Sequence, residues 1–476
     1  MSHSIAKNTA FMTVASVAQK IISFVYFTLI ARSIGVEGTG KYFLALSFTT
    51  IFVVFVDLGL TNVLVREAAK LKTHIQKYVS TILSAKLFFG VIAYGTVIVL
   101  ATFLYPDIEL RHMIYLSGIT MLFDSFNLTM YGVMRSIGDL RFESLSIMVS
   151  QALSLLLGGI FLGLGFPLIF LILAFTIPSF LNAIFSAWIL YKRYNVKPIP
   201  QFDPQTFRFL WKITIPFALA AIFARVYGYI DSILLKEMMG ATAVGWYSTP
   251  YKITYAFQFV PLALTAAIYP RMSEYFVQQK EKLVIILHDS IKYLLVVSVP
   301  IALGICILAP DIILFLYGTE FVESIRPLQI LILSLIFSFV SFPVGACLNA
   351  CNKQATQTGI VAVVMVLNIL LNLWLIPKIG VSGAAVAALV GNILLTLLGY
   401  FVLPKIAPIS HKQYLGTLMK VMGCGIVMGV AVFATNMWSN IFAAIVVGAI
   451  VYTVMIFVTR LLTKAEVLEG IKMIKK

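Results

Sequence analysis

The sequence predicts an all-α integral membrane protein of about 14 transmembrane helices, arranged as two pseudo-symmetric six-helix lobes in parallel repeat plus a C-terminal helix pair. Three observations carry that prediction. Of 476 residues, 61% are hydrophobic and 11% charged, where soluble domains are roughly 25% charged. Apolar runs of bilayer length, about 20 residues for a ~30 Å hydrocarbon core, recur from end to end. A shift of 205 residues also lays one cation-bearing apolar run on another. It superposes Lys20 on Arg225, Gly35 on Gly240, Gly40 on Gly245, Tyr42 on Tyr247 and Arg66 on Arg271.

The spans fall near 9–31, 42–64, 79–103, 112–134, 144–164, 167–191, 212–235, 245–268, 290–309, 327–350, 355–376, 380–403, 415–436 and 440–460. The first is too long for a cleavable signal and carries Lys20 inside it. With the N-terminus inside, the cytoplasmic segments hold 21 of the 35 Lys and Arg, the outer segments 6 and the spans 8. That is the bias of the positive-inside rule. The net charge of +16 therefore reads as orientation, with both termini cytoplasmic, plus attraction to anionic lipid heads. It does not read as nucleic-acid binding.

The N-terminal lobe, 1–196, has short loops, which make neighbouring helices antiparallel. Asp57 lies toward the cytoplasmic end of its second span. Lys86 is near enough to the inner end of the third to snorkel. Asp124 lies near the middle of the fourth, with Asn127 about a turn on. Residues 192–212, KRYNVKPIPQFDPQTFRFLWK, hold three prolines, a basic cluster and no long apolar run, the pattern of a cytoplasmic linker.

The second lobe, 197–403, again has six spans. Six is even, so both copies enter the membrane in the same sense, and sites in such parallel repeats lie near midplane at the repeat interface. Pro216, Pro250, Pro261, Pro300 and Pro343 lie in its spans, where proline removes an i→i−4 hydrogen bond and tends to kink the helix. Residues 404–476 add two spans without counterpart in the repeat. The tail TKAEVLEGIKMIKK then has Thr463 and Glu466 at capping-box spacing. Val467, Leu468, Ile471 and Ile474 share one face, as in a helix lying on the cytoplasmic membrane surface.

Chemistry concentrates in a few intramembrane charges. A charge at the bilayer centre costs ~2.5–3.5 kcal/mol on insertion scales, so it normally faces a bundle interior or a wet cavity. Lys20 and Arg225, at matching repeat positions, read as ligands for an anionic lipid-linked substrate, Arg through its planar fork. Lys252, in the outer part of the eighth span, either extends that lining or snorkels outward. The competing structural reading pairs the cations with Asp57, Asp124 or Asp231 to hold helices together. Asp124 is the candidate for sensing a coupling ion, H+ or Na+. Asp231, six residues after Arg225, lies on another face, and Asp57 reads as helix-end structure. Gly35, Gly40, Gly240 and Gly245 read as turn glycines. Cys306, Cys347, Cys351 and Cys424 fall in or beside spans and read as small core residues. No His lies deep in a span, and no catalytic group, metal site or cofactor is expected.

ARSIGVEGTGKY at 31–42, VDLGL at 56–60, LYGTEF at 316–321 with PLQIL after it, and LNLWLIPKIGVSGAAVA at 371–387 occur in this order on about fourteen spans. Together they resemble the polysaccharide (O-antigen type) flippases of the multidrug/oligosaccharidyl-lipid/polysaccharide exporter superfamily. The resemblance implies export of a lipid-linked (polyprenyl diphosphate) sugar across the plasma membrane by alternating access. It implies two lobes in a V around a cationic cavity, lined by the first helix of each. It also implies a transporter rather than an enzyme, with membrane lipids around it and a polysaccharide polymerase or assembly proteins as partners.

Two other function classes stay open. A cation-coupled multidrug exporter on this scaffold would favour acidic residues where the mid-depth pair is basic. A membrane glycosyltransferase or polymerase would need a carboxylate or His near a sizeable outer loop. Here the longest outer segment, 310–326, offers only Asp311, Glu320 and Glu323 without a metal-ligand partner.

Overall fold

A computed structural model describes residues 2–462; the amphipathic tail expected from Thr463 onward lies outside the described residues. Those residues form helices and no strands. In order the helices are α1 (Ser2–Asp57), α2 (Leu60–Lys70), α3 (Ile75–Leu104), α4 (Ile108–Ile137), α5 (Arg141–Gly163), α6 (Ile169–Tyr194), α7 (Pro204–Met239) and α8 (Ala241–Ala256). They continue as α9 (Phe259–Gln278), α10 (Lys280–Ile307), α11 (Ala309–Tyr317), α12 (Ile325–Ala350), α13 (Gln354–Ile379), α14 (Val381–Val402), α15 (His411–Trp438) and α16 (Ile441–Val458). An all-helical chain follows from the solvent. In hydrocarbon every backbone N–H and C=O must be satisfied within the protein, and a helix does so inside one segment.

Among the described residues, twelve helical stretches are long and apolar enough to cross a membrane. The expected fourteen spans map onto them with two additions. The stretch Val14–Asp57 holds two spans, one on each side of Gly35. Helix α4, 30 residues long, carries Asp124, Ser125 and Asn127 and falls outside that set. The eighth span is interrupted between Ala256 and Phe259. Pro261 has no N–H to return to the Phe257 carbonyl, which accepts from Val260 N at 3.1 Å instead. Pro250, Pro300 and Pro343 lie inside helices.

Two compact units divide the chain, Met1–Ser248 and Thr249–Lys476. In the first, α1 packs on α3, α4, α5 and α7, and α4 packs on α6. Buried Leu64, Ile82, Met134, Leu190 and Leu210 join α2, α3, α4, α6 and α7 in one apolar core. In the second, α12 packs on α9, α10 and α14, while α15 packs on α10 and α16. Large apolar side chains such as Phe103, Met437 and Val458 are exposed, which fits a surface whose solvent is lipid.

The repeat is realised in the backbone. Gly35 breaks α1 with φ 69° and ψ −174°, and Gly240 ends α7 with φ 90° and ψ 178°. That region is essentially open to glycine alone. Beyond each corner the chain runs against the other corner. A Cβ on Gly40 would lie 1.9 Å from the Ala241 carbonyl oxygen, and a Cβ on Gly245 would lie 2.1 Å from that of Val36. Val36 and Ala241 are themselves repeat equivalents, so the contact is reciprocal, as in an isologous interface. The reading of all four glycines as turn residues therefore holds for Gly35 and Gly240. Gly40 and Gly245 sit inside helices and serve the close approach of two backbones.

Gly40→Ala and Gly245→Ala should each destabilise the protein by about 3 kcal/mol or more, because backbone rather than a flexible side chain must move. Gly416→Ala, with nothing within 4 Å, should be neutral or slightly stabilising. Thermal unfolding of the detergent-solubilised protein checks this, and a Gly40→Ala melting temperature equal to that of Gly416→Ala would contradict the contact.

Candidate functional site

Lys20 lies on α1 and Arg225 on α7, two helices of the first unit that pack together. Each cation precedes its corner glycine by 15 residues, about 22 Å at 1.5 Å per residue. That is roughly half of the ~40–45 Å spanned by a bilayer with its headgroups. Lys20 is half-buried and Arg225 exposed. Their matched depth follows from the matched corners, since the two runs otherwise share few residues. Lys252 belongs to the second unit, where it is half-buried on α8 beside Tyr251 and Tyr255, whose rings stack at 5.1 Å.

The three acids have partners of their own. Asp57 takes Lys86 Nζ at 2.5 Å, accepts the Thr61 hydroxyl and accepts Gly59 N at 3.2 Å. It does so where Leu58 (φ 45°) and Gly59 (φ 79°) turn the chain from α1 into α2. Lys86 does not snorkel. It lies eleven residues into α3, about 16 Å along the axis, too deep for its stem to reach water. Its side chain is wholly buried, and Nζ also donates to Thr61 Oγ1 at 3.0 Å and to the Ser125 carbonyl at 2.8 Å. One ammonium thus ties α1, α2, α3 and α4. Asp231 is buried and accepts from Tyr247 Oη at 2.8 Å across the Gly240 corner. Its repeat counterpart is Tyr26, which packs with Tyr42 against Phe175 at centroid distances of 5.3 and 6.4 Å.

Asp124 is exposed on α4 and accepts from the Ser179 hydroxyl on α6. It belongs to a polar seam between these helices. Thr120 and Thr176 share a hydrogen bond of 2.7 Å. Asn127 Nδ2 donates to the Ser179 carbonyl at 3.1 Å, and Asn182 Nδ2 donates to Tyr131 Oη at 2.5 Å. The seam has a signal in sequence: positions 120, 124, 127 and 131 recur at helical spacing, as do 176, 179 and 182. Near the end of α4, Arg135 Nε donates at 3.0 Å to both carboxylate oxygens of wholly buried Glu143, a pair that spacing alone does not reveal.

Charges outside the spans follow ordinary capping rules. Asp203 caps α7, with Pro204 at the first helical position. The hydroxyl and amide of Thr206, then Lys77, hold its carboxyl down at about 2.

The family described as polysaccharide biosynthesis protein matches residues 5–276, more than half of the chain, and the MatE family matches residues 216–374. The capsular polysaccharide biosynthesis protein CapF of Staphylococcus aureus is 24% identical over 84% of this chain and 99% of its own length. A probable low-salt glycan biosynthesis flippase of Haloferax volcanii is 23% identical, covering 94% and 95%. A putative O-antigen transporter of Shigella flexneri is 22% identical, covering 81% and 94%. Among solved structures, the lipid II flippase MurJ in an inward closed conformation gives a TM-score of 0.78 at 16% identity, over 93% of this chain and 97% of that one. A multidrug resistance MATE transporter in an inward-facing conformation gives 0.67 at 14%, over 88% and 98%. These two likenesses establish a shared fold.

Removing one partner of a buried ion pair strands the other charge, at about 3–5 kcal/mol. Asp57→Asn and Lys86→Met should each lower the unfolding temperature sharply, and the double variant should lose clearly less than their sum. Strict additivity in that double-mutant cycle would show that the two groups act independently.

Proposed function

The chain belongs to the polysaccharide biosynthesis protein family, and we propose that it flips a lipid-linked (polyprenyl diphosphate) oligosaccharide or polysaccharide repeat unit across the plasma membrane by alternating access. It is a multi-pass membrane protein, and its relatives include proteins named as flippases and transporters rather than enzymes. The observation that carries the substrate class is the cation pair. Lys20 and Arg225 stand at equal depth on packed helices, where a diphosphate offers a dense anion. A hydrogen bond to a charged group contributes about 1.5–3 kcal/mol, and the fork of Arg225 suits phosphate.

The Lys and Arg bias supports an orientation with both termini in the cytoplasm. Asp124, an exposed carboxylate beside Ser179 and Asn127, is the group we assign to a coupling ion, H+ or Na+. A polymerase or assembly protein would take the flipped product. The MatE match supports a second reading, a cation-coupled multidrug exporter. The basic mid-depth pair argues against it, because a cationic drug would meet like charge.

Flipping of a polyprenyl-diphosphate oligosaccharide in proteoliposomes, with and without imposed pH or sodium gradients, tests the proposal. Lys20→Ala and Arg225→Ala should each slow flipping about tenfold or more, and the double variant further. Asp124→Asn should remove the response to the gradient. Full flipping by the folded double variant would contradict the diphosphate assignment. A native chain that exports an organic cation but flips no lipid-linked sugar would turn the reading to the exporter.

A further inference from the structure

The linker that precedes α7 is bolted to α3. The Gln76 side chain exchanges two hydrogen bonds with the Lys197 backbone, both 2.7 Å. Gln201 N donates to the Ser80 carbonyl at 3.2 Å, and Lys77 pairs with Asp203 at 3.0 Å. Beside this clasp, Ser84, Ala85, Phe88, Phe89, Phe202 and Phe207 line a cavity of about 410 Å³. Ring contacts fix its walls: Phe202 on Phe207 at 5.3 Å, Phe207 on Trp211 at 5.5 Å, and Trp211 on Phe89 at 5.7 Å. Phe88 and Phe202 are 64% and 56% exposed, so the cavity opens to the surroundings rather than into the core.

The neighbourhood is cationic. Residues 192–212 carry five Lys or Arg and a single acid, Asp203, which is already engaged by Lys77. Arg208 follows Phe207 directly, and Lys212 lies one turn further along the same face of α7; both are exposed. We propose that this cavity holds an acyl chain of an anionic phospholipid whose headgroup rests on Arg208 and Lys212. A hydrocarbon tail gains little by leaving the bilayer for a groove, since lipid tails are as apolar as the groove itself. Selectivity therefore comes from the headgroup, through cations held at the membrane surface, while the phenylalanine walls fix where the lipid sits. The seated lipid bridges α3 and α7 at a place separate from Lys20 and Arg225.

Native mass spectrometry of the full chain in detergent tests this, using phosphatidylglycerol and phosphatidylethanolamine with identical acyl chains. At about fivefold per cation, phosphatidylglycerol should bind on the order of 20-fold better, and Arg208→Gln/Lys212→Gln should erase the excess. Those two side chains are exposed, so their neutral variants retain the fold. Ser84→Phe, which fills the cavity, should weaken both lipids, and glycerophosphate should not compete. Equal binding of the two lipids by the native protein would overturn the proposal, as would an excess that survives the double substitution. Displacement by glycerophosphate would also overturn it, since it would mark a site for phosphate rather than for a lipid.

Discussion

A charge moved from water to the centre of a bilayer loses at least ~2.5–3.5 kcal/mol of hydration on insertion scales, and the placement of ionisable groups in this protein follows from that penalty. Lys86 is wholly buried eleven residues into α3, and it is answered by a carboxylate, a hydroxyl and a carbonyl. Asp231 is answered by a tyrosine across its corner. Each solution ties helices together, so the groups that would otherwise be liabilities become the pins of the first unit. Arg225 is treated differently. It is exposed at mid-depth, and a guanidinium so placed calls for water or an anion.

The second constraint is steric. Two backbones meet where Gly40 faces Ala241 and Gly245 faces Val36, at separations no Cβ could tolerate. Because the contact is reciprocal between repeat equivalents, the helices leading into it carry their side chains in the same register. A cation 15 residues before either corner is then held at the same depth by construction. The duplicated corner thus sets Lys20 and Arg225 at matching positions before it, the placement on which the proposed anion site rests.

Much of this was legible in the sequence, for physical reasons. The bilayer admits helices and closed barrels only, so long apolar runs dictate architecture more strictly than they would in water. Gly35 and Gly240 stand out because no other residue takes their backbone angles. The fate of Lys86 was not legible: snorkelling and burial differ only in whether a carboxylate lies opposite, and Asp57 arrives from another helix 29 residues away. The polar stripe on α4 is visible as a pattern, yet its partners on α6 are set by packing. Pro261 reads as a kink within one span; it accompanies a full interruption because the chain also turns at Phe257 and Gln258.

The most direct test asks whether the two cation positions share a wet site that substrate occupies. Lys20→Cys and Arg225→Cys, each in a background lacking Cys306, Cys347, Cys351 and Cys424, would be labelled with a charged, membrane-impermeant thiol reagent. Labelling would be compared with and without a polyprenyl-diphosphate oligosaccharide. Both positions should label, and the substrate should protect both. Labelling that the substrate leaves unchanged at both positions would contradict an anion site built from the two repeats.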